Sequence, residues 1–210
     1  MIRIGIVDDH AIVRAGLKQF VAEQVDFRVT AEAANGLEAV DVARGDEVDV
    51  LLLDLPMPEH NGIDALAAIK ARRPKLPVLI LSGFPETHYA TTLLRQGASG
   101  YLNKECDPEE IATAIRTVAR GRRYISPAEA ELVADRAAGG SEQPAHETLS
   151  ERELQVFLRL AQGEAVGHIA EHVFLSVKTV STYRTRVLEK LKLTSNSELT
   201  YYALKDGLIQ

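Results

Sequence analysis

Ile2-Arg3-Ile4-Gly5-Ile6-Val7-Asp8-Asp9 is a β-branched run that ends in two adjacent carboxylates. Such a run reads as a strand buried in a covered sheet, because stiff Ile and Val side chains suit the pleat and leave no polar face for water. Working outward, Val50 to Leu53 and Val78 to Leu81 repeat the pattern, and each runs into a polar residue, Asp54 and Ser82. Phe27, Val29, Ala31 and Ala33 alternate with Arg28, Thr30 and Glu32, the signature of a strand with one wetter face at a sheet edge. A fifth strand is predicted over Gly100 to Asn103, after the turn signal Gly97-Ala98-Ser99-Gly100. Helical spacing falls between these runs, over Ala11 to Glu23, Leu37 to Ala43, Ile63 to Arg72, Thr87 to Gln96 and Glu109 to Ala119. The last has Asp107 as cap, Pro108 in the first turn and Glu110 positioned to complete a capping box. Five βα units define an α/β fold, a five-stranded parallel doubly wound sheet with helices on both faces.

The pattern changes after Gly121. Ser126-Pro127-Ala128-Glu129 starts a short helix, and Ala138 to Pro144 reads as a polar linker. From Leu149 onward every segment is helical: Ser150-Glu151-Arg152-Glu153 is a capping box, Ile169, Ala170 and Val173 mark a short second helix, Ser176 caps a third, and Ser195-Asn196-Ser197-Glu198 opens a fourth. The expected organisation is a domain over 1–121, a linker with a short helix over 122–147, and a small all-α four-helix domain over 148–210.

With 210 residues, 46% hydrophobic and 26% charged, the chain is an ordinary globular sequence rather than a disordered one. No apolar run approaches the roughly 20 residues that span a bilayer, and no secretory leader is legible at the start, so a cytoplasmic protein without membrane contact is expected. Cys106 is the only cysteine, which excludes an internal disulfide and a cysteine-built zinc site. The net charge of −6 is uneven: residues 1–121 hold 13 Lys and Arg against 18 Asp and Glu, whereas residues 148–210 hold 8 against 7. Lys178, Arg184, Arg186, Lys190 and Lys192 fall together there, as a nucleic-acid-binding face requires.

Ligands of doubly wound sheets bind at the carboxyl ends of the strands. Asp8, Asp9, Asp54, Ser82 and Lys104 all lie there. Three converging carboxylates repel one another unless a cation neutralises them, and an all-oxygen donor set suits Mg²⁺.

Asp8-Asp9, then Asp54-Leu55-Pro56-Met57-Pro58 with Gly62, then Leu81-Ser82-Gly83, then Gly100-Tyr101-Leu102-Asn103-Lys104 together resemble the receiver domain of two-component response regulators. The resemblance implies that Asp54 accepts a phosphoryl group, that Asp9, Asp54 and the main-chain carbonyl of Pro56 ligate Mg²⁺, and that Asp8 holds a metal-bound water. It also implies that Lys104 pairs with the phosphoryl oxygens, and that Ser82 and Tyr101 form the switch that remodels the face of the 87–96 helix, the fifth strand and the 109–119 helix. Two positions depart from the pattern: Glu105 stands where proline often follows the lysine, and Pro56 stands beside the acceptor, where its ring alters water access.

Residues 149–207 resemble the DNA-binding domain of the LuxR, NarL and FixJ regulators, through Leu149 to Glu153, Ala161-Gln162-Gly163, Ile169-Ala170, Leu175 to Val180, Arg184, Lys190-Leu191 and Gly207-Leu208-Ile209. A short helix, a turn at Val173 to Leu175 and a longer helix from Ser176 make a helix-turn-helix. Val177, Val180, Val187 and Leu191 are its expected inward stripe. Ser181, Thr182 and Thr185 are expected at base edges in the major groove, with Lys178, Thr179, Arg184, Arg186 and Lys190 mainly on phosphates; Arg186 as the main base reader stays open as an equal alternative.

The reading is a transcriptional response regulator, switched at Asp54 by a sensor histidine kinase and binding promoter double-stranded DNA as a homodimer. It is not an enzyme, beyond accepting a phosphoryl group on its own aspartate and slowly losing it. Two alternatives stay open: a Mg²⁺-dependent phosphatase, although its second carboxylate would fall on Pro56, and an interaction module independent of phosphorylation.

Overall fold

Parallel strands need a crossover between each pair, and the helical stretches between the apolar runs supply it. In the computed structural model, which describes residues 1–57, 62–83, 90, 93–126, 130 and 144–209, the five runs become β1 (Ile2–Val7), β2 (Phe27–Ala33), β3 (Val50–Leu53), β4 (Val78–Ser82) and β5 (Gly100–Asn103). They pair in parallel in the order β2-β1-β3-β4-β5, so β2 takes the edge position its alternation predicts. The crossovers include α1 (Ala11–Glu23), α2 (Gly36–Arg44) and α3 (Gly62–Arg72), and α4 (Pro108–Ala119) follows β5. Of the helix expected over Thr87 to Gln96, Ala90 and residues 93–95 are helical, and residues 84–89 and 91–92 lie outside the described residues. Most of the Ser126 helix and the 138–143 linker lie outside them too.

The chain divides into two compact units, Met1–Asp135 and Arg136–Gln210. In the first, Ile4, Ile6, Val50, Leu52, Leu79 and Leu81 pack with Ile111, Ile115 and Val118 of α4. At about 25 cal/mol per Å² of apolar surface, burying such side chains is the main force that holds the sheet together. Asp107 caps α4 and accepts from the Glu109 amide, with Pro108 in the first turn. Glu110 does not close the expected capping box: its carboxylate accepts from the Tyr124 hydroxyl at 2.8 Å, a tertiary bond that local spacing does not reveal.

In the second unit a 3-10 turn (Ala145–Thr148) precedes α5 (Glu151–Ala161), α6 (Val166–His172), α7 (Val177–Leu191) and α8 (Asn196–Lys205). The Ser150–Glu153 capping box forms in both directions, and Ser176 and Ser195 cap α7 and α8. Val180, Val187 and Leu191 are buried as expected, but Val177 is 55% exposed. It occupies the first position of α7, beside the turn, and the helix reaches the core only one turn later.

Gly62 tests how tightly the first unit is drawn around its strand ends. A Cβ there would sit 1.9 Å from the Asp54 carbonyl oxygen and 2.9 Å from the Leu55 Cα, both backbone atoms that cannot step aside. Gly62→Ala is expected to destabilise the chain by about 3 kcal/mol in chemical denaturation. Gly16→Ala, where nothing lies within 4 Å on helix α1, is expected to stabilise it by about 0.5–1 kcal/mol.

Candidate functional site

The hydrogen bonding of the sheet continues past the ends of its strands and sets the polar residues side by side. Asp54 donates its amide to the Val7 carbonyl at 2.9 Å, Asp8 to that of Ala33 at 3.2 Å, and Lys104 to that of Ser82 at 2.8 Å. Asp8, Asp54 and Ser82 are buried, and the Lys104 ammonium lies 2.6 Å from Asp8 Oδ2 and 2.7 Å from Asp54 Oδ2. Asp54 Oδ1 accepts from its neighbour's amide, Leu55 N, at 2.8 Å. Asp8 Oδ1 accepts from His10 N at 2.8 Å, and Arg14 donates to the Asp8 carbonyl.

One ammonium faces three carboxylates. Like charges about 4 Å apart repel by about 4 kcal/mol at the effective dielectric near a protein surface, so the pocket keeps an excess of negative charge. Burial pushes the Asp54 carboxyl up to about 6; Lys104 opposes the rise and Asp8 adds to it. Burial alone would lower the Lys104 ammonium, but Asp54 and Asp8 hold it above its ordinary value. Asp9 Oδ1 is buried and receives no aligned hydrogen bond, although His10 Nδ1 stands 2.9 Å away. Asp8, Asp9, His10 and Asp54 each offer an atom within 4.8 Å of the others. This acidic, oxygen-rich set with one unsatisfied buried oxygen is compatible with Mg²⁺.

The structure thus brings together Asp8, Asp9, Asp54 and Lys104, with Ser82 buried at the end of β4 and Pro56 half-buried two residues beyond Asp54. Tyr101 is completely buried on β5. Pro58 lies outside the described residues. His10 and Arg14 were missed by the sequence reading; their one signal is their place at the start of the helix that follows Asp8-Asp9, His10 as its N-cap and Arg14 four positions on.

In the second unit Lys178, Ser181, Thr182, Thr185 and Arg186 share the exposed side of α7. Thr182 and Thr185 donate their hydroxyls to the carbonyls of Lys178 and Ser181, one turn back. The Thr179 hydroxyl is 2.7 Å from Ser176 Oγ, within the cap. Two cations assigned to phosphates are engaged inside the unit: Arg184 donates to Asn196 Oδ1 at 2.7 Å, and Lys190 to Glu153 Oε2 at 2.6 Å. The sequence reading missed these bonds because their partners lie 12 and 37 positions away.

Residues 4–116 match the response regulator receiver domain family, and residues 147–203 match the bacterial regulatory proteins of the luxR family. The chain is 36% identical over 209 residues to response regulator UvrY of Escherichia coli K12, covering 99% of this chain and 96% of UvrY. It is 37% identical over 214 residues to oxygen regulatory protein NreC of Staphylococcus carnosus, covering 99% of each. Among solved structures, RcsB from Salmonella enterica serovar Typhimurium, bound to promoter rprA in the presence of phosphomimetic BeF3⁻, superposes with a TM-score of 0.66 at 25% identity, over 96% of this chain and 98% of that one. A receiver fold with its acidic pocket, followed by a LuxR-type helix-turn-helix, defines a DNA-binding two-component response regulator. The chain belongs to the NarL/FixJ family of these regulators.

Burial raises the Glu153 carboxyl, but hydrogen bonds from Lys190 and Ser150 outweigh it and leave the group below its ordinary value of 4.5. The stabilisation is therefore present above pH 4.5 and is lost as pH falls through the lowered folded value. Lys190→Met is expected to cost about 1 kcal/mol at pH 7, after allowance for solvent screening of the half-exposed lysine, and to flatten the loss of stability below pH 4.5. Urea unfolding from about pH 3.5 to about pH 7 checks both.

Proposed function

We propose that Asp54 accepts a phosphoryl group from a sensor histidine kinase and that this modification switches a homodimer of the chain on promoter DNA. The observation that carries the reading is the Lys104 ammonium bridging buried Asp8 and Asp54 beside an unsatisfied Asp9 oxygen. Asp8, Asp9, Asp54 and the main-chain carbonyl of Pro56 would hold Mg²⁺, Asp8 through a water. When bound, the ion neutralises charge on the pocket and on the incoming phosphoryl oxygens.

Asp54 carries out the transfer as nucleophile: a carboxylate oxygen bonds phosphorus as the bond from phosphorus to the kinase histidine nitrogen breaks, leaving an acyl phosphate. Lys104 then exchanges its carboxylate partner for a phosphoryl oxygen. The Ser82 hydroxyl donates to another, drawing its loop inward, and Tyr101 moves toward the space vacated. Such a change is local in its chemistry and global in its readout. Pro56, where a dehalogenase-type phosphatase carries its second carboxylate, disfavours an enzymatic reading. The protein acts in the cytoplasm, where both kinase output and DNA are available.

On DNA, Ser181, Thr182 and Thr185 approach base edges, with Thr182 and Thr185 offering methyl groups and lone pairs because their hydroxyl protons are already donated. Lys178, Thr179 and Arg186 meet phosphates. A phosphate role for Arg184 and Lys190 requires their internal bonds to open. Two copies on paired half-sites gain affinity through effective concentration, so phosphorylation need only shift the monomer–dimer balance.

Intact-mass spectrometry after acetyl phosphate and Mg²⁺ tests the acceptor. One phosphoryl adduct is expected on the native chain and none on Asp54→Asn, with light scattering showing dimers only in the phosphorylated sample. Catalytic turnover of the donor with no retained adduct would favour the phosphatase, and neither adduct nor turnover would favour the phosphorylation-independent module.

A further inference from the structure

At the opposite end of the sheet, near the amino ends of β4 and β5, two grooves adjoin along Pro74, Lys75, Pro77 and Gly121. The larger, about 760 Å³, contains Arg3 and Arg73, but each already faces a carboxylate: Arg3 pairs with Asp49 at 2.7 Å and Arg73 with Asp46 at 3.3 Å. The smaller, about 270 Å³, is lined by Lys70, Lys75, Arg122 and Arg123 and, among the described residues, by no carboxylate. None of these four cations forms an ion pair among the described residues.

The arrangement is more than a solvated basic surface. Lys70 is half-buried, with its stem laid across the left-handed turn at Gly97 (φ +103°) and its ammonium donating to the Leu76 carbonyl at 2.6 Å. Burial lowers this ammonium below its ordinary value, and the nearby Arg123 lowers it further. A partly desolvated cation beside another cation is unfavourable until an anion arrives. On the opposite wall the chain is held in place: the Tyr124 amide donates to the Ser99 carbonyl at 2.8 Å, and the Arg122 amide to that of Thr117 at 3.4 Å. The two guanidinium groups therefore extend from an anchored backbone. Two planar donor forks and two point charges match the oxygens of a phosphate better than a single carboxylate.

We propose that the crevice between α3, Pro77 and the Gly121–Arg123 segment binds a phosphate group, carried by a small free compound or by the backbone of DNA. The site is independent of the Asp54 pocket, which lies at the other end of the strands and is negatively charged. Only the DNA source rests on the function proposed above.

The test uses the full chain in EDTA, so that no metal carries phosphate into the acidic pocket. Sodium pyrophosphate is titrated while the amide resonances of Gly97, Ser99, Arg122 and Arg123 are followed. Saturable shifts are expected, weakened at least tenfold in Arg122→Gln/Arg123→Gln and unchanged in Arg28→Gln, an exposed cation elsewhere on the same unit. In a second arm the salt dependence of duplex DNA binding is compared between the native chain and the double variant. A slope smaller by about 1.8 assigns both arginines to backbone phosphates, at about 0.9 per contact. An unchanged slope, together with pyrophosphate binding that weakens at least tenfold in the double variant, assigns the crevice to a small phosphorylated compound. Absence of an effect in both arms, or pyrophosphate shifts equal in the native chain and the double variant with an unchanged slope, would overturn the proposal.

Discussion

Lys104 holds its ammonium between two buried carboxylates, 2.6 Å from Asp8 and 2.7 Å from Asp54, at the carboxyl edge of a sheet whose interior is otherwise apolar. Burying those carboxylates without a cation would be prohibitive, and Lys104, the one ammonium that pairs with them among the described residues, does not by itself balance three acids. The pocket is therefore poised: stable enough to fold, yet with negative charge left over and one Asp9 oxygen unsatisfied. In the proposed function, added cationic charge and then a phosphoryl group would redistribute the partners of Lys104 without dismantling the sheet. The parallel topology makes this possible, since β1, β3 and β5 all end on the same side.

The DNA-binding unit uses a similar device for a different end. Glu153 closes the cap of α5 and also receives Lys190 from α7, so a single carboxylate fixes both the start of one helix and the far end of the recognition helix. Arg184 ties the same helix to the start of α8. Placing α7 this firmly leaves its exposed side, from Lys178 to Arg186, as the rigid surface that the proposed function would present to the major groove.

Much of this was legible in the sequence because it is local. Apolar runs announced all five strands, polar residues after them located the pocket, and Ser150, Ser176 and Ser195 marked three helix starts. Three of the failures share a cause: the winning interaction came from far along the chain. Glu110 abandons the capping box for Tyr124, and Lys190 and Arg184 find partners in other helices. Val177 fits the helical stripe by spacing but stands exposed, because its position at the helix start precedes the point of contact with the core. His10 joins the acidic cluster through its own amide and ring, a role that no period in the sequence encodes.

The central claim is that chemistry at Asp54 governs DNA binding by the other unit. It is tested most directly by measuring the affinity of the full chain for a selected duplex site with Mg²⁺, before and after phosphoryl loading, alongside Asp54→Asn. The account predicts at least a tenfold gain on loading, equivalent to about 1.4 kcal/mol, for the native chain and none for the variant. Equal affinity in all states, with the acyl phosphate confirmed on Asp54, would contradict it.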